Sequence, residues 1–169
     1  AVVMPIMARY LRQLEQRLSE LNVNSGLHLM TSSGGIISSD VACRKPVHIV
    51  ESGPAAGVTA AAHMGGLAGY DDIISFDMGG TTAKASIIEA SEMLLAPEYE
   101  VGGGMNAGHR LLRGSGYILR VPAIDIAEVS SGGGSLAWVD KAGGLQAGPH
   151  SAGAVPGPVC YNTGGNNPT

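Results

Sequence analysis

A strand, a tight turn and a second strand are predicted by the stretch Ile73-Ile74-Ser75-Phe76-Asp77-Met78-Gly79-Gly80-Thr81-Thr82-Ala83-Lys84-Ala85-Ser86-Ile87-Ile88. The first strand ends in a carboxylate, Asp77, which is a candidate to orient a hydrated Mg²⁺ because that ion needs few protein ligands. The glycines can take a positive φ and let a ligand approach the backbone closely. The turn N–H groups and the hydroxyls of Thr81 and Thr82 are donors suited to phosphate oxygens.

Two interpretations of this hairpin stay open from its residues. In the first interpretation the turn holds the phosphates of a nucleotide. In the second it is an ordinary hairpin whose glycines only make the turn. A motif as short as Asp-x-Gly-Gly-Thr also occurs by chance, so the choice depends on the rest of the chain.

Composition indicates a globular protein with many tight turns. The chain has 169 residues, of which 44% are hydrophobic, so a disordered chain is excluded and one domain or slightly more is expected. Glycine contributes 26 residues, about twice its average share. The formal net charge is −4 and no basic residues cluster, so we expect no nucleic-acid partner. The apolar runs are too short to span a bilayer, so we expect no membrane partner.

Two further features bear on where the protein works. Cys43 and Cys160 stand far apart and in no metal-ligand spacing, so we expect two reduced thiols and a cytoplasmic protein. The chain begins inside a helical pattern and ends in a loop over residues 166–169. We therefore expect it to be an excised part of a longer protein.

The chain before the hairpin predicts alternating helices and strands. Apolar residues at three- and four-residue steps predict an amphipathic helix over residues 3–21. We then expect a buried strand over residues 27–31 that leads into a glycine turn, a short helix over 40–44, a strand over 47–50, and an Ala-rich helix from Pro54 through Met64. The N-terminus of that last helix is a ready anion site. Glu51 lies beside it and is a candidate metal ligand, base or cap.

The chain after the hairpin predicts strands joined by glycine turns. We expect strands over residues 91–96 and 117–121, a loop insertion over 97–116 that includes Arg110 and Arg113, an apolar segment around Asp125, a glycine turn over 130–135, and a β-hairpin over 136–148 followed by a Gly- and Pro-rich tail. Alternating helices and strands with glycine turns at strand ends indicate an α/β ligand-binding domain. The glycine spacing matches neither a dinucleotide-binding fingerprint nor a Walker-type loop, and there is no nucleophile elbow.

Longer motifs carry a family resemblance over nearly the whole chain. They are, in order, Ser33-Gly34-Gly35, Arg44-Lys45-Pro46-Val47, Ser52-Gly53-Pro54-Ala55-Ala56-Gly57, Phe76-Asp77-Met78-Gly79-Gly80-Thr81, Val121-Pro122 with Asp125-Ile126, Gly132-Gly133-Gly134-Ser135, Ala137-Trp138-Val139, Gly148-Pro149, Ser151-Ala152-Gly153-Ala154 and Pro156-Gly157-Pro158 with Cys160-Tyr161. This set resembles the hydantoinase A/5-oxoprolinase family. That family includes ATP-dependent 5-oxoprolinases, N-methylhydantoinases and subunits of acetone and acetophenone carboxylases.

The resemblance implies an actin-like ATPase fold, which is ribonuclease H-like, with ATP between two halves. This chain would be one hydantoinase A-type domain fragment from the second half, with its first helix in residues 1–22, a core over 27–96, the insertion over 97–116, and strands and tail over 117–169. The segment from Asp77 to Thr82 matches the second phosphate loop. The first phosphate loop would lie upstream, in an N-terminal half outside this chain.

Site residues follow from the same resemblance. Asp77 is expected in the shell of Mg²⁺ or Mn²⁺ and in catalysis, with Asp125 and Glu51 as further candidates for substrate contact or a base. The candidate cofactor-binding residues are Gly79, Gly80, Thr81, Thr82, Lys84, Gly132, Gly133 and Gly134.

The resemblance also implies a reaction. ATP would phosphorylate the carbonyl oxygen of a cyclic amide such as a hydantoin or 5-oxoproline, and water would then open the ring. Expected partners are that substrate, the missing N-terminal half and a hydantoinase B-type subunit or domain; a homo-oligomer is a further candidate. Two alternatives remain, namely a subunit of an acetone- or acetophenone-type carboxylase and a nucleotide-binding module without catalysis.

The chain departs from the family pattern at several positions. The family usually writes the hairpin as Asp-Met-Gly-Gly-Thr-Ser-Thr-Asp, so Lys84 stands where a carboxylate is usual. Lys84 is therefore either a phosphate contact or a sign that the phosphoryl-transfer role has changed. Ala127 stands where a histidine is common, Ser130-Ser131 replaces Gly-Ala, and the insertion lengthens one connection. These departures indicate a divergent subgroup.

Overall fold

The computed structural model describes residues 3–101 and 116–169. Most of the expected insertion, with Arg110 and Arg113, lies outside the described residues. The first third of the chain is mainly helical: α1 Met4–Glu20, β1 His28–Met30, β2 Ile36–Ser38, α2 Ser39–Arg44, a 3-10 helix Pro46–Ile49 and α3 Ser52–Leu67. The helix predicted over residues 3–21 is thus confirmed to within one residue at each end.

Short antiparallel strands make up most of the remainder. They are β3 Ile73–Met78, β4 Ala83–Glu89, β5 Glu92–Met93, β6 Leu95–Ala96, β7 Tyr99–Val101, β8 Tyr117–Leu119, β9 Ala123–Ile124, β10 Ala127–Val129, β11 Ser135–Val139 and β12 Leu145–Ser151, followed by a 3-10 helix at Val159–Tyr161. Helices combined with sheets agree with the predicted α/β class.

The largest sheet is built on the predicted hairpin. Strands β3 and β4 pair from Ile73 opposite Ile88 to Met78 opposite Ala83, so the hairpin is confirmed. Strand β10 adds to the other edge of β4, and β5 pairs with the end of β4. The register places Asp77 directly opposite Lys84, and Lys84 opposite Glu128 on β10.

Helix α3 covers one face of this sheet and forms the core with it. The buried cluster contains Ala55 and Val58 from the helix, Ile88 from β4 and Ile124 from β9. Because the helix side chains are small, its backbone can approach the sheet closely. Side chains alternate across a strand, so Ile74 and Phe76 point away from α3 and are 74% and 63% exposed. The opposite face of the sheet is therefore apolar and open among the described residues.

The N-terminal helix packs on α2. Leu11 of α1 is fully buried, and the carboxylate of Glu15 accepts a hydrogen bond from the hydroxyl of Ser39. Leu11 belongs to the apolar stripe that the sequence predicted, whereas Glu15 adds a polar contact outside that stripe.

Several predicted strands differ from the structure. Residues 47–50 are not a strand: the 3-10 helix begins at Pro46, whose fixed φ suits a first helical position. Its His48 carbonyl accepts from the N–H and hydroxyl of Ser32 rather than from a strand. Strand β2 was not predicted from the sequence. Residues Ile36–Ser38 pair antiparallel with β1, so the turn over residues 32–35 is a hairpin turn.

The second half also shows differences of detail. The strand predicted over residues 91–96 is two short strands, which pair with β4 and β9 respectively. Strand β7 occupies Tyr99–Val101, at the start of the segment expected to be a loop, and pairs with β8. The hairpin predicted over 136–148 is confirmed as β11 and β12.

Helix α3 offers a matched test of glycine packing. Gly65 and Gly66 lie inside the helix rather than at its predicted end. A Cβ at Gly66 meets nothing within 4 Å, whereas one at Gly65 overlaps Cδ1 of Ile73. We expect Gly66→Ala to raise the free energy of unfolding by about 0.5 kcal/mol, because alanine favours the helix. Gly65→Ala should lower it, because Ile73 must move. Urea unfolding of both variants checks this, and a gain in both would contradict the packing described.

Two sequence expectations concern the chain as a whole. Cys43 and Cys160 are both free, as expected of reduced thiols. Among residues 3–101 and 116–169, no helix has the length and apolar character needed to cross a bilayer.

Candidate functional site

The turn between β3 and β4 presents hydrogen-bond donors that have no acceptor among residues 3–101 and 116–169. The N–H of Gly79 donates to the carbonyl of Thr82 at 2.9 Å and closes the turn. The next three N–H groups, of Gly80, Thr81 and Thr82, donate to no other described residue, and neither threonine hydroxyl is engaged within that part of the chain. Such a group of donors is suited to an anion.

The glycines of this turn do not use the positive φ that glycine allows, so close approach of a ligand is the part of the sequence expectation that remains a prediction. Neither Gly79 nor Gly80 takes a positive φ. A Cβ on Gly80 would meet nothing within 4 Å among the described residues. The backbone conformation therefore does not demand glycine at these two positions. The missing side chain at Gly80 leaves open space beside the turn among the described residues.

The glycine segment Gly132–Gly134 is hydrogen-bonded directly to the turn. The N–H of Gly133 donates to the carbonyl of Gly79 at 2.9 Å, and that of Gly134 donates to the carbonyl of Gly80 at 2.7 Å. The sequence predicted these three glycines as cofactor contacts. In the structure their backbone contacts the turn itself, and any contact with a ligand remains a prediction.

Asp77 and Lys84 face each other across the ladder and differ in their partners. The Asp77 side chain is exposed and forms no ion pair within the described residues. The Lys84 ammonium lies 3.0 Å from a carboxylate oxygen of Glu51 and 3.7 Å from one of Glu128. The exposed fraction of the side chain is 18% for Lys84, 22% for Glu51 and 23% for Glu128.

This ion cluster favours the protonated, positively charged form of Lys84. Burial acts to lower the pKa of Lys84, but the hydrogen bond and charge of Glu51, with those of Glu128, outweigh it and raise the pKa above its ordinary value. The ammonium expected at phosphate is thus directed to two carboxylates in this structure. Lys84 links α3, through Glu51 at its N-cap, to β4 and β10.

The remaining two candidate acids lie in different settings. Glu51 makes no side-chain cap bond to α3, and its carboxylate is held by Lys84. Asp125 has an exposed side chain, while its N–H donates to Leu94 and its carbonyl accepts from the hydroxyl of Ser86. Within the described residues the structure brings Glu51 and Lys84 into direct contact. It gives the Asp125 carboxylate no polar partner there.

A cavity of about 410 Å³ adjoins Asp77 and Lys84. It adjoins α3 and the edge strand β3, with residues from both faces of β3 in its lining, which consists of Pro54, Gly57, Val58, Ala61, Ile74, Ser75, Phe76, Asp77, Lys84, Ala85 and Ile126. Its walls are mainly apolar, with one acid and one base at the level where β3 approaches the turn.

Few side chains that could bind a divalent metal ion lie together in the described part of the chain. No group of three or more His, Cys, Asp or Glu side chains is placed to hold an ion within the described part of the chain. A metal site built only from protein ligands is not supported there. Mg²⁺ bound to nucleotide phosphates needs about one or two carboxylates, and Asp77, exposed beside the turn, fits that requirement.

Sequence reasoning missed Glu128 and Ser135 as residues of this site. The Ser135 hydroxyl accepts from the N–H of Gly132 at 2.9 Å and helps to fix the glycine segment. Glu128 comes opposite Lys84 through the register of β10 with β4, and register between strands distant in sequence leaves no local signal. Ser135 bonds to a residue only three positions earlier, so its place directly after three glycines was a signal that the sequence offered.

Comparison with known proteins gives a consistent result. The family model described as hydantoinase/oxoprolinase matches residues 1–169. An uncharacterized protein of Methanocaldococcus jannaschii is 48% identical over 100% of this chain and 25% of its own length. The caprolactamase alpha subunit of Pseudomonas jessenii is 33% identical over 100% of this chain and 22% of its own length. The chain therefore spans about a quarter of the length of these relatives.

Solved structures agree in fold. A nucleotide-free acetone carboxylase structure, from work on ATP-dependent acetone carboxylation, superposes with a TM-score of 0.68 at 26% identity, covering 94% of this chain and 20% of that one. The crystal structure of the ATP-dependent caprolactamase from Pseudomonas jessenii gives a TM-score of 0.65 at 33% identity, covering 99% of this chain and 22% of that one.

Proposed function

The chain belongs to the hydantoinase/oxoprolinase family, and from this premise we propose that it forms one wall of the nucleotide site of an ATP-dependent cyclic-amide hydrolase. The observation that carries the proposal is the turn at Gly80–Thr82, whose N–H groups have no acceptor among the described residues and lie beside the exposed Asp77 carboxylate. The names of two similar proteins, both ATP-dependent, support nucleotide use.

In this proposal the turn binds phosphate oxygens of ATP. The N–H groups of Gly80, Thr81 and Thr82 and the two threonine hydroxyls donate to them. Hydrogen bonds to an ionised acceptor are about twice as strong as neutral ones. The donors are fixed before binding, because Gly79 closes the turn and Gly132–Gly134 supports its carbonyls. Fixed donors need no reorganisation when charge moves during phosphoryl transfer.

Asp77 is assigned to the water shell of the Mg²⁺ that accompanies the nucleotide. When bound, that ion neutralises charge on the transferred phosphoryl group. Asp77 is suited to this role because its carboxylate is exposed, close in sequence to the turn donors and free of ion pairs among the described residues. Mn²⁺ has the same preference for oxygen ligands.

The proposed reaction has two steps. First the γ-phosphoryl group passes from ATP to the carbonyl oxygen of the cyclic amide, and ADP leaves. Water then adds to the activated carbon, the carbon–nitrogen bond of the ring breaks, and phosphate is released. Glu51 and Asp125 remain candidates for contact with substrate or water, although Glu51 is paired with Lys84.

The whole protein requires further parts in this proposal. The fold is assigned to the actin-like ATPases, with ATP between this segment and an N-terminal half. The name of the caprolactamase alpha subunit supports a second, hydantoinase B-type subunit or domain as partner. The likeness to acetone carboxylase supports a second candidate function, in which ATP activates a substrate for carboxylation.

The test is ATP hydrolysis by the full-length protein with and without 5-oxoproline, hydantoin or caprolactam. We expect at least one cyclic amide to raise the rate of ADP release and to yield the ring-opened product in equal amount. If ADP release responds to acetone or acetophenone with bicarbonate instead, the carboxylase function is correct. If the folded protein hydrolyses no ATP under any of these conditions, the remaining candidate function is a nucleotide-binding module that does not catalyse a reaction.

A further inference from the structure

We propose that Gly132–Gly134 is a clasp, meaning a backbone segment that sets the position of the phosphate turn, and that Gly132 and Ser135 are positioning residues rather than ligand contacts. This inference rests on the proposed function, because it assigns the clasp a role in phosphate binding at the same site. It differs from the sequence-based expectation, which placed these glycines on the nucleotide.

The clasp holds both carbonyl groups at the start of the turn. Gly133 and Gly134 donate to the carbonyls of Gly79 and Gly80 at 2.9 and 2.7 Å. In a peptide unit the carbonyl and the following N–H share one plane. Fixing the carbonyls of Gly79 and Gly80 therefore also fixes the direction of the N–H groups of Gly80 and Thr81.

The approach is so close that it excludes a side chain at selected positions. A Cβ on Gly132 would lie 2.5 Å from the carbonyl oxygen of Gly79 and 2.8 Å from the nitrogen of Thr82. A Cβ on Gly134 would lie 2.7 Å from the carbonyl oxygen of Gly80. One on Gly133 would lie 3.7 Å from its nearest neighbour, an ordinary contact. Gly132 and Gly134 are thus the two positions of the clasp where a side chain would displace the turn.

The clasp is itself anchored to the β11–β12 hairpin. The buried Ser135 hydroxyl accepts from the N–H of Gly132, and the Ser135 N–H donates to the Gly132 carbonyl, both at 2.9 Å. The Gly134 carbonyl accepts from the N–H of Ala152 at 2.8 Å. The position of the turn is therefore tied to a hairpin distant in sequence.

A displaced turn should weaken binding of phosphate and leave binding of the nucleoside unchanged. Among the residues proposed to bind the nucleotide, the clasp contacts only those of the turn, so its displacement changes the direction of the phosphate donors. A general loss of folding would reduce the affinities for ATP and adenosine together. The ratio of the two affinities therefore separates positioning from a structural role.

The experiment compares full-length wild type, Gly132→Ala and Gly66→Ala by calorimetric titration with Mg-ATP and with adenosine. We expect Gly132→Ala to weaken Mg-ATP binding by about tenfold or more, the equivalent of one lost charge-assisted hydrogen bond. Adenosine affinity should change by less than about twofold, and Gly66→Ala, in α3 and outside the clasp and the turn, should resemble wild type for both ligands. In hydrolysis assays, Gly132→Ala should raise the KM for ATP.

Ser135→Ala provides a second variant that introduces no clash. It removes the acceptor of the Gly132 N–H and should show the same selective loss of Mg-ATP affinity, by a few-fold. If wild type binds Mg-ATP and both Gly132→Ala and Ser135→Ala bind it equally well, the clasp proposal is wrong and the proposed function stands. Equal losses for ATP and adenosine would also overturn it. A folded wild type that binds no Mg-ATP would overturn the proposed function, and the clasp proposal with it.

Discussion

Replacing Asp77 with asparagine is expected to lower kcat for ATP hydrolysis by the full-length protein by about 100-fold or more, the size of effect seen when one preorganised electrostatic contact is lost. Asparagine keeps the shape of the side chain but removes its negative charge. In the proposed site that charge orients the hydrated metal ion at the phosphates. The measurement is steady-state ADP release at saturating Mg-ATP and cyclic amide.

Folding should be little affected by this change. The Asp77 side chain is exposed and forms no ion pair within the described residues, so its removal breaks no structural contact there. Asp40→Asn, at an exposed acid in the first turn of α2, is the matched control and should retain full activity. Full activity in Asp77→Asn, measured at limiting as well as saturating Mg²⁺, would remove Asp77 from the site.

Replacing Lys84 with methionine is expected to lower the free energy of unfolding by about 1–3 kcal/mol, the cost of leaving partly buried charged groups without their partner. Methionine keeps most of the length of the side chain but not its charge. Glu51 and Glu128, each less than a quarter exposed, would then repel each other without a cation between them. Urea unfolding at neutral pH measures the loss.

The control is Lys141→Met, at an exposed lysine in the turn between β11 and β12, which should change stability by less than about 0.5 kcal/mol. Glu128→Gln added to Lys84→Met should restore part of the loss, since one of the two repelling charges is gone. Equal stability of Lys84→Met and wild type would show that the ion cluster does not contribute.

The pH dependence of this effect follows from the raised pKa of Lys84. A group whose pKa is higher in the folded state stabilises the fold below its ordinary pKa, about 10.4 for lysine. That contribution is lost as the pH rises through the folded-state value. The stability difference between wild type and Lys84→Met should therefore be constant near neutral pH and shrink above about pH 10.4.

The sequence predicted those parts of the fold that depend on local pattern. The stripe of apolar residues in α1 and the Gly-Gly turn between two β-rich runs identify their elements from neighbouring residues alone. The same holds for the Ala-rich α3, although its end was placed too early because two glycines suggested a stop. Packing of Gly65 against Ile73 explains why glycine is tolerated inside that helix.

The candidate site was predictable only in part. Asp77 and the turn lie in one continuous motif, so their proximity was certain from the sequence. The contacts of Lys84 with Glu51 and Glu128, and of Gly132–Gly134 with the turn, join segments that are dozens of residues apart. They depend on how β10 aligns with β4 and on where α3 begins, which single-sequence patterns do not encode. The apolar run over residues 47–50 resembles a strand in sequence, but it follows Pro46 and forms a 3-10 helix that begins at that proline.

The most direct measurement is a structure of the full-length protein with Mg²⁺ and a non-hydrolysable ATP analogue. Our account predicts phosphate oxygens within about 2.7–3.2 Å of the N–H groups of Gly80–Thr82. It also predicts the metal's water shell against Asp77, with Gly133 and Gly134 still hydrogen-bonded to the carbonyls of the turn. A nucleotide bound elsewhere, with this turn open to solvent and Asp77 distant from the metal, would contradict the account.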